Sequence, residues 1–393
     1  MYFEKELKAL KKANRYREVE SFYRVKDFAS NDYLGLANRK KSLKSAFNLV
    51  KEYDYFAPKA SLLVNGYHPI HQIFEDKISK LNGFDRGLVV GSGFLANIAL
   101  IESMVRRGDE LFIDSEYHAS GILASKLIAG ELSWFKHNNP KDLERKLIKS
   151  RAKRKVIAIE GIYSMSGDIA KKEIIELAKK YNALLIVDEA HSCGTIGKNL
   201  LGIFDYYNLK IEENYIKMGT LGKAYGSYGA YILSSNEIRE FLINRAKPVI
   251  YSTAPSVIDI ALALVNLEYI SKNSGYLKCK LDDRVEIVKD ILGIETKSLI
   301  VPIRQNSNKA AKDLQKELLK KGFLVGAIRQ PTVKEPILRV ILRLKEKKKD
   351  LIELLKIIKF NSSYLDEKTI IKDNSKEGID SLFSNLIKKS YND

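Results

Sequence analysis

The sequence predicts an α/β protein: a mostly parallel central sheet flanked by helices, followed by a small C-terminal α+β domain. Two observations carry this expectation. From His71 to Leu233, short unbroken apolar runs alternate with helix-length segments. Strands read this way when both faces of the sheet are covered and neither side meets water. After about Leu299 the order changes to strand, helix, strand, strand, helix, which suits a separate smaller unit.

The elements follow in order. Apolar residues at Phe3, Leu7 and Leu10 have helical spacing and predict an opening helix. A strand-like stretch over Phe22 to Phe28 comes next, then Ser30-Asn-Asp-Tyr-Leu-Gly-Leu36, rich in turn formers, and a helix over about Lys41 to Tyr53. A helix from His71 to Leu81 leads into a strand at Gly87–Gly91. A helix, a strand at Leu111–Asp114, another helix, and strands at Lys155–Glu160 and Ala183–Asp188 continue the alternation, the last two separated by a helix over Glu173 to Tyr181. Strands at Tyr215–Met218 and Gly229–Leu233 and a helix over Val257 to Ile270 complete the large unit. The smaller unit reads as strand Leu299–Ile303, helix Ala310–Lys321, strands Phe323–Ile328 and Leu338–Leu344, and helix Asp350–Phe360, before a polar tail with an amphipathic stretch near Ile379 to Ile387. The expected divisions are an N-terminal segment over 1–50, a large α/β domain over 51–275, the small domain over 276–360 and an extension over 361–393.

Composition narrows the function classes. The 393 residues are 45% apolar and 30% charged, with 23 Gly and 8 Pro, which excludes collagen-like, disordered and low-complexity chains. A balance of 67 basic against 49 acidic residues leaves +18, a field that favours anionic partners: nucleic acid, an anionic membrane surface or a phosphorylated small molecule. The basic runs Arg151–Lys155 and Lys345–Lys349 are short, interrupted and beside amphipathic segments, so they read as solvated helix ends. No aromatic-interleaved basic motif of an RNA-binding sheet occurs, and no nucleic-acid partner is expected. Cys193 and Cys279 form no CxxC pair, the first residues contain no sustained apolar core of a secretory signal, and no apolar run approaches the roughly 20 residues of a spanning helix. A soluble cytoplasmic protein without membrane contact is expected.

In open parallel sheets ligands bind beyond the carboxyl ends of the strands. That rule selects Gly91–Phe94, Asp114–His118, Glu160–Ser164, Asp188–His191 and Gly219–Lys223. Asp188 ends a buried apolar strand, where a carboxylate needs a cationic or strongly donating partner or serves as a helix cap. Lys223 follows 35 positions later in Gly219-Thr-Leu-Gly-Lys-Ala-Tyr-Gly226, whose glycines admit close approach to the amine. A phosphate-binding P-loop would need Gly at 217 and Ser or Thr at 224, where the chain has Lys217 and Ala224. A crowded lysine paired with a strand-end aspartate instead suits a Schiff base to pyridoxal phosphate, with the acid holding the pyridine nitrogen protonated. Gly91-Ser-Gly-Phe94 opens a helix and offers free N–H groups for a phosphate, and His118 follows a strand where it could lie on an aromatic ring. His68 and His71 lack a third metal ligand nearby, and Ser164 lacks the Gly-x-Ser-x-Gly elbow of a serine hydrolase, so neither a metal site nor that hydrolase chemistry is expected.

Taken together, Ser30–Leu36, Gly91–Asn97, Tyr117–Ser120, Glu160–Asp168, Val187–Ser192, Gly219–Lys223, Tyr251–Thr253 and Pro331–Val333 followed by Arg339 resemble, in the same order, the motifs of the α-oxoamine synthases. The resemblance spans about residues 28–360 and implies a fold type I pyridoxal-phosphate transferase, a homodimer with its sites at the subunit interface. It implies that Lys223 carries the cofactor and acts as acid and base at the substrate Cα, that Asp188 pairs with the pyridine nitrogen, and that His191 and Ser164 lie at the phenolic oxygen while His118 stacks on the ring. Gly93, Phe94 and Thr220 would hold the phosphate, Ser252 or Thr253 would reach it from the second subunit, and Asn31 and Arg339 would bind the amino-acid carboxylate. The implied reaction is decarboxylative condensation of L-alanine with a pimeloyl thioester of CoA or an acyl carrier protein. Glycine with acetyl-CoA or succinyl-CoA is the alternative within the family, and a basic nucleic-acid-binding protein on the same scaffold is the alternative outside it. Three positions depart from the family pattern: the usually glycine-rich loop reads Phe56–Gly66 with no glycine before Gly66, Ile341 replaces a basic residue, and Glu189 follows Asp188.

Overall fold

The computed structural model describes residues 2–361. Its centre is a seven-stranded sheet whose strands, in chain order, are β2 (Arg86–Val90), β3 (Asp109–Asp114), β4 (Glu131–Phe135), β5 (Arg154–Glu160), β6 (Leu184–Asp188), β7 (Tyr215–Thr220) and β8 (Ala230–Ser234), numbered after the short β1 (Lys26–Asp27). The spatial order is β2-β8-β7-β6-β5-β3-β4. Only β8 runs against its neighbours, so the expectation of a mostly parallel sheet holds.

Alternate residues of each strand feed two separate cores. Leu111, Ile113, Val156, Ala158, Ile186 and Ile216 pack on one face. Phe112, Ile157, Ile159, Leu185, Val187 and Tyr215 pack on the other. This two-sided burial is why the runs contain no polar alternation.

The small unit holds an antiparallel sheet of β9 (Ile300–Arg304), β11 (Gly326–Ile328) and β12 (Ile337–Ile341), in the order β11-β12-β9, with helices Asn308–Lys320 and Lys348–Asn361. Three expectations change. The 22–28 strand contracts to β1, which pairs in parallel with β10 (Phe323–Leu324) and so ties the N-terminal segment to the small unit. The single helix expected between Asp114 and Lys155 is helix Ala119–Ser125, strand β4 and helix Pro140–Lys149. The helix expected over 257–270 continues to Leu292, because Leu277, Leu281, Val288 and Leu292 keep burying its inner face. The stretch near 379–387 lies outside the described residues.

Gly66 shows what the 56–66 loop requires. A Cβ there would lie 2.1 Å from the Ala60 carbonyl oxygen and 2.7 Å from that of Ser61, so the one glycine of this loop sits where backbone meets backbone.

Candidate active site

The carboxyl edges of β2, β3, β5, β6 and β7 bring most of the expected residues to one crevice. Lys223 follows β7, and its Nζ lies 2.8 Å from His191 Nε2. On the other side of that ring, His191 Nδ1 is 2.6 Å from the Tyr33 hydroxyl. Burial, with the Lys223 charge next, lowers the His191 pKa well below its usual value. The neutral ring that accepts from a Lys223 ammonium at Nε2 donates from Nδ1 to the Tyr33 oxygen.

Asp188 ends β6 and is buried. Asn97 Nδ2 donates to its Oδ2 at 2.8 Å, and the Ala190 amide donates to Oδ1 at 2.9 Å. Asn97 is itself held by the Tyr117 hydroxyl at 2.8 Å and donates to Ser120 Oγ at 2.8 Å, which in turn is 2.7 Å from His118 Nδ1. Thus Asp188 and the His118 ring belong to one network, and His118 is an exposed residue. Burial pushes the Lys223 pKa down to about 8, against the opposing pull of Asp188 and Glu160. At about 8 the group is still mostly ammonium at pH 7, but its free, nucleophilic fraction is far larger than that of an ordinary lysine.

Glu160 pairs in register with Asp188 across β5 and β6. Its burial, reinforced by the Asp188 charge, raises its pKa well above the usual value, and its Oε1 is buried without a hydrogen-bond partner. Its Oε2 accepts from the Ser164 amide at 3.1 Å, and the Ser164 carbonyl accepts from Arg339 Nη1 at 2.9 Å. Arg339 Nε is buried and unpartnered, a charged donor left for a bound group. Asn31 stands beside the same cluster, with its Oδ1 3.5 Å from the Tyr33 hydroxyl.

The helix start expected to hold a phosphate lies beside the end of β7. Helix Gly93–Met104 opens after Ser92, whose hydroxyl caps the Leu95 amide at 3.2 Å. Gly93 lies against Thr220: a Cβ there would sit 3.5 Å from Thr220 Cβ and 3.7 Å from its Oγ1, ordinary contact distances that bring the helix start and the end of β7 side by side. The Phe94 side chain is exposed, leaving its backbone as the relevant part. Thr253 bridges antiparallel to Ser61 in the 56–66 loop, and among the described residues neither it nor Ser252 is hydrogen-bonded to Lys223, His191 or Asp188. A helix N-terminus beside Thr220, an exposed histidine, a lysine with a lowered pKa and a buried carboxylate are groups of the kinds that could hold the phosphate, ring, aldehyde and pyridine nitrogen of pyridoxal phosphate.

Sequence reasoning missed Tyr33, Asn97 and His137. Asn97 is a polar residue on an almost wholly apolar helix, a signal that could have been read. His137 follows β4, and its ring bonds Asp114 at 3.0 Å and Asp168 at 2.9 Å while packing edge-on against Tyr163 at 4.4 Å. Burial opposes its charge, yet the bonds to Asp114 and Asp168 prevail and raise its pKa from 6.5 to about 10. A raised histidine pKa stabilises the fold fully below about pH 6.5, and the contribution fades as pH rises towards 10. His137→Gln should therefore cost about 2–4 kcal/mol of unfolding free energy at pH 6 and much less at pH 10. Thermal melts at the two pH values check this; equal losses would contradict the charged role.

His68 and His71 serve the fold. His68 caps helix Pro69–Asn82 by accepting from the Ile70 amide, and the two histidines reach the carbonyls of Tyr55 and Pro255. Among the described residues no group of three or more His, Cys, Asp or Glu side chains could hold a metal.

Comparison with known proteins places this crevice in context. The aminotransferase class I and II family model matches residues 24–355. The chain is 47% identical over 355 residues to 8-amino-7-oxononanoate synthase of Helicobacter pylori, covering 90% of this chain and 95% of that one. The homonymous enzyme of Saccharophagus degradans is 34% identical over 378 residues, covering 90% and 94%. Among solved structures, 8-amino-7-oxononanoate synthase from Francisella tularensis superposes with a TM-score of 0.71 at 28% identity, over 86% of this chain and 98% of its own. Serine palmitoyltransferase from S. paucimobilis shares the fold, with a TM-score of 0.84 at 21% identity over 93% and 98%. With a family model matched across most of its length and relatives this similar over nearly all of theirs, the chain belongs to the aminotransferase class I and II family.

Proposed function

We propose that this chain catalyses the pyridoxal-phosphate-dependent condensation of L-alanine with a pimeloyl thioester, carried by CoA or an acyl carrier protein, to 8-amino-7-oxononanoate with loss of CO2 and the free carrier, a step of biotin biosynthesis. The observation that carries the reading is the meeting of Lys223, His191, Asp188 and the Gly93–Thr220 pair in one crevice. The names of relatives at 34–47% identity support the substrate assignment.

When bound, pyridoxal phosphate supplies an electron sink that weakens the bonds at the Cα of an attached amino acid. The residues of the chain do the rest. Gly93 and Phe94 amides at a helix start and the Thr220 hydroxyl bind the phosphate. The His118 face would support the ring, Asp188 would hold a proton on the pyridine nitrogen, and His191 and Ser164 would lie at the phenolic oxygen. Asn31 and the free Nε of Arg339 take the substrate carboxylate, which fixes which Cα bond meets the sink. Lys223 would hold the cofactor through its amine and, once released, would move the proton at Cα.

A homodimer completes the site in this reading. Phe56, Val64 and Tyr251 are 69%, 80% and 80% exposed, an apolar rim by the 56–66 loop that a second subunit would cover, and the partner subunit's Ser252 or Thr253 would reach the phosphate. Both cysteines are free thiols, which accords with a reducing cytoplasm, and no helix among the described residues is long and apolar enough to cross a membrane.

Product mass tests the function. Purified chain loaded with pyridoxal phosphate should convert L-alanine and pimeloyl-CoA to 8-amino-7-oxononanoate. Product formed only from glycine with acetyl-CoA or succinyl-CoA would move the activity to the other family reaction. Salt-sensitive RNA or duplex binding indifferent to Lys223, with no product at all, would favour the nucleic-acid alternative.

A further inference from the structure

We infer that a second anion site, separate from the Lys223 crevice, lies between the C-terminal half of helix Val257–Leu292 and the turn that opens helix Lys348–Asn361, and that it takes the diphosphate group of a small molecule. A cavity of about 320 Å³ occupies this position. Its lining supplies five cationic side chains, Lys280, Arg284, Lys345, Lys347 and Lys348, against the single carboxylate of Glu346. Several of these belong to the 345–349 basic run, which the proposed reaction leaves without a role.

Surface lysines alone would mean little, but Arg284 is different. It is only 5% exposed, and its Nη1 is buried with no hydrogen-bond partner. Its Nη2 is engaged by the Glu346 carbonyl, which fixes the guanidinium plane. The acids near it are largely committed elsewhere: Asp283 pairs with Lys348 at 2.5 Å and Asp350 with Lys26 at 3.0 Å. Glu346 is the exception, with an unbonded Oε1 and a 3.9 Å approach to Arg343. A buried guanidinium with a vacant donor is costly unless a strong acceptor arrives, and phosphate oxygens match its fork geometry better than any neutral group. The cavity holds the volume of roughly ten waters, enough for a diphosphate and more than chloride requires.

The test is calorimetric titration of the full chain, saturated with pyridoxal phosphate so that its first phosphate site is filled, at fixed ionic strength. Pyrophosphate is the first probe and ADP the second, to separate free from nucleotide-borne diphosphate. Saturable binding of one ligand per chain is expected. Replacing the three rim lysines together, Lys280→Gln, Lys345→Gln and Lys347→Gln, should weaken it at least tenfold without touching the core, and Glu346→Gln should tighten it by removing a like charge. Arg284→Gln should abolish it, with the thermal melt reporting whether that variant still folds. Heat that chloride reproduces at equal ionic strength, or affinity unchanged in the triple lysine variant, would overturn the site. ADP binding more tightly than pyrophosphate would assign the ligand to a nucleotide, and equal affinities would assign it to the bare diphosphate.

Discussion

Lys223→Ala is expected to lower turnover by about 10⁴-fold or more while leaving the fold in place. Its amine is, among the described residues, the crevice's only primary amine and has a depressed pKa, about 8, and its neighbour His191 is a poor substitute because it is buried, neutral and bonded on both nitrogens. The stability effect has a definite sign. A lysine pKa lowered on folding penalises the ammonium, with the full cost below about pH 8 and none well above pH 10.5. Removing the side chain relieves that cost, so the cofactor-free variant should melt no lower than the parent at pH 7. Steady-state rates with a melt of the cofactor-free protein check both halves. A variant that lost activity through unfolding would fail the second half.

Asp188→Asn should lower turnover by about 10²–10⁴-fold, because the amide keeps the shape and its bond to Asn97 but cannot hold a proton on the pyridine nitrogen. It should also shift other groups in a stated direction. The Asp188 charge raises the Lys223 pKa and also that of Glu160. Without it the Lys223 pKa falls below about 8, and cofactor capture by the free amine at pH 7 becomes faster. Stopped-flow capture against pH therefore moves its midpoint to lower pH while turnover collapses. Faster capture with slower turnover is a combination that general damage to the site does not produce. Unchanged turnover would remove Asp188 from its assigned place.

Much of the fold was legible because the sheet is covered on both sides. Runs such as Leu184–Val187 meet side chains above and below and stay apolar throughout, so their boundaries stand out. Strand β4 escaped for the opposite reason. It is an edge strand paired only with β3, its first residues are exposed, and Glu131-Leu-Ser-Trp-Phe135 carries no continuous apolar run. The length of helix Val257–Leu292 was hidden by the polar stretch around Asn273, where the helix departs from regular geometry before Leu277 resumes the buried face. Strand β1 owes its existence to Phe323 and Leu324, some 300 residues away, and no local pattern could announce it.

The site divides in the same way. Lys223, Asp188 and His191 were visible because strand ends are where an open sheet displays chemistry. The supports were not, since Asn97 reaches Asp188 across 91 positions and Tyr33 reaches His191 across 158. His137 bonds carboxylates on two different segments, and neither association is periodic in the chain.

Borohydride reduction of the chain after incubation with pyridoxal phosphate, followed by peptide mass mapping, tests the central claim most directly. The account expects one phosphopyridoxyl group per chain, on the peptide containing Lys223. A label spread over surface lysines, or fixed on any other single residue, would contradict it.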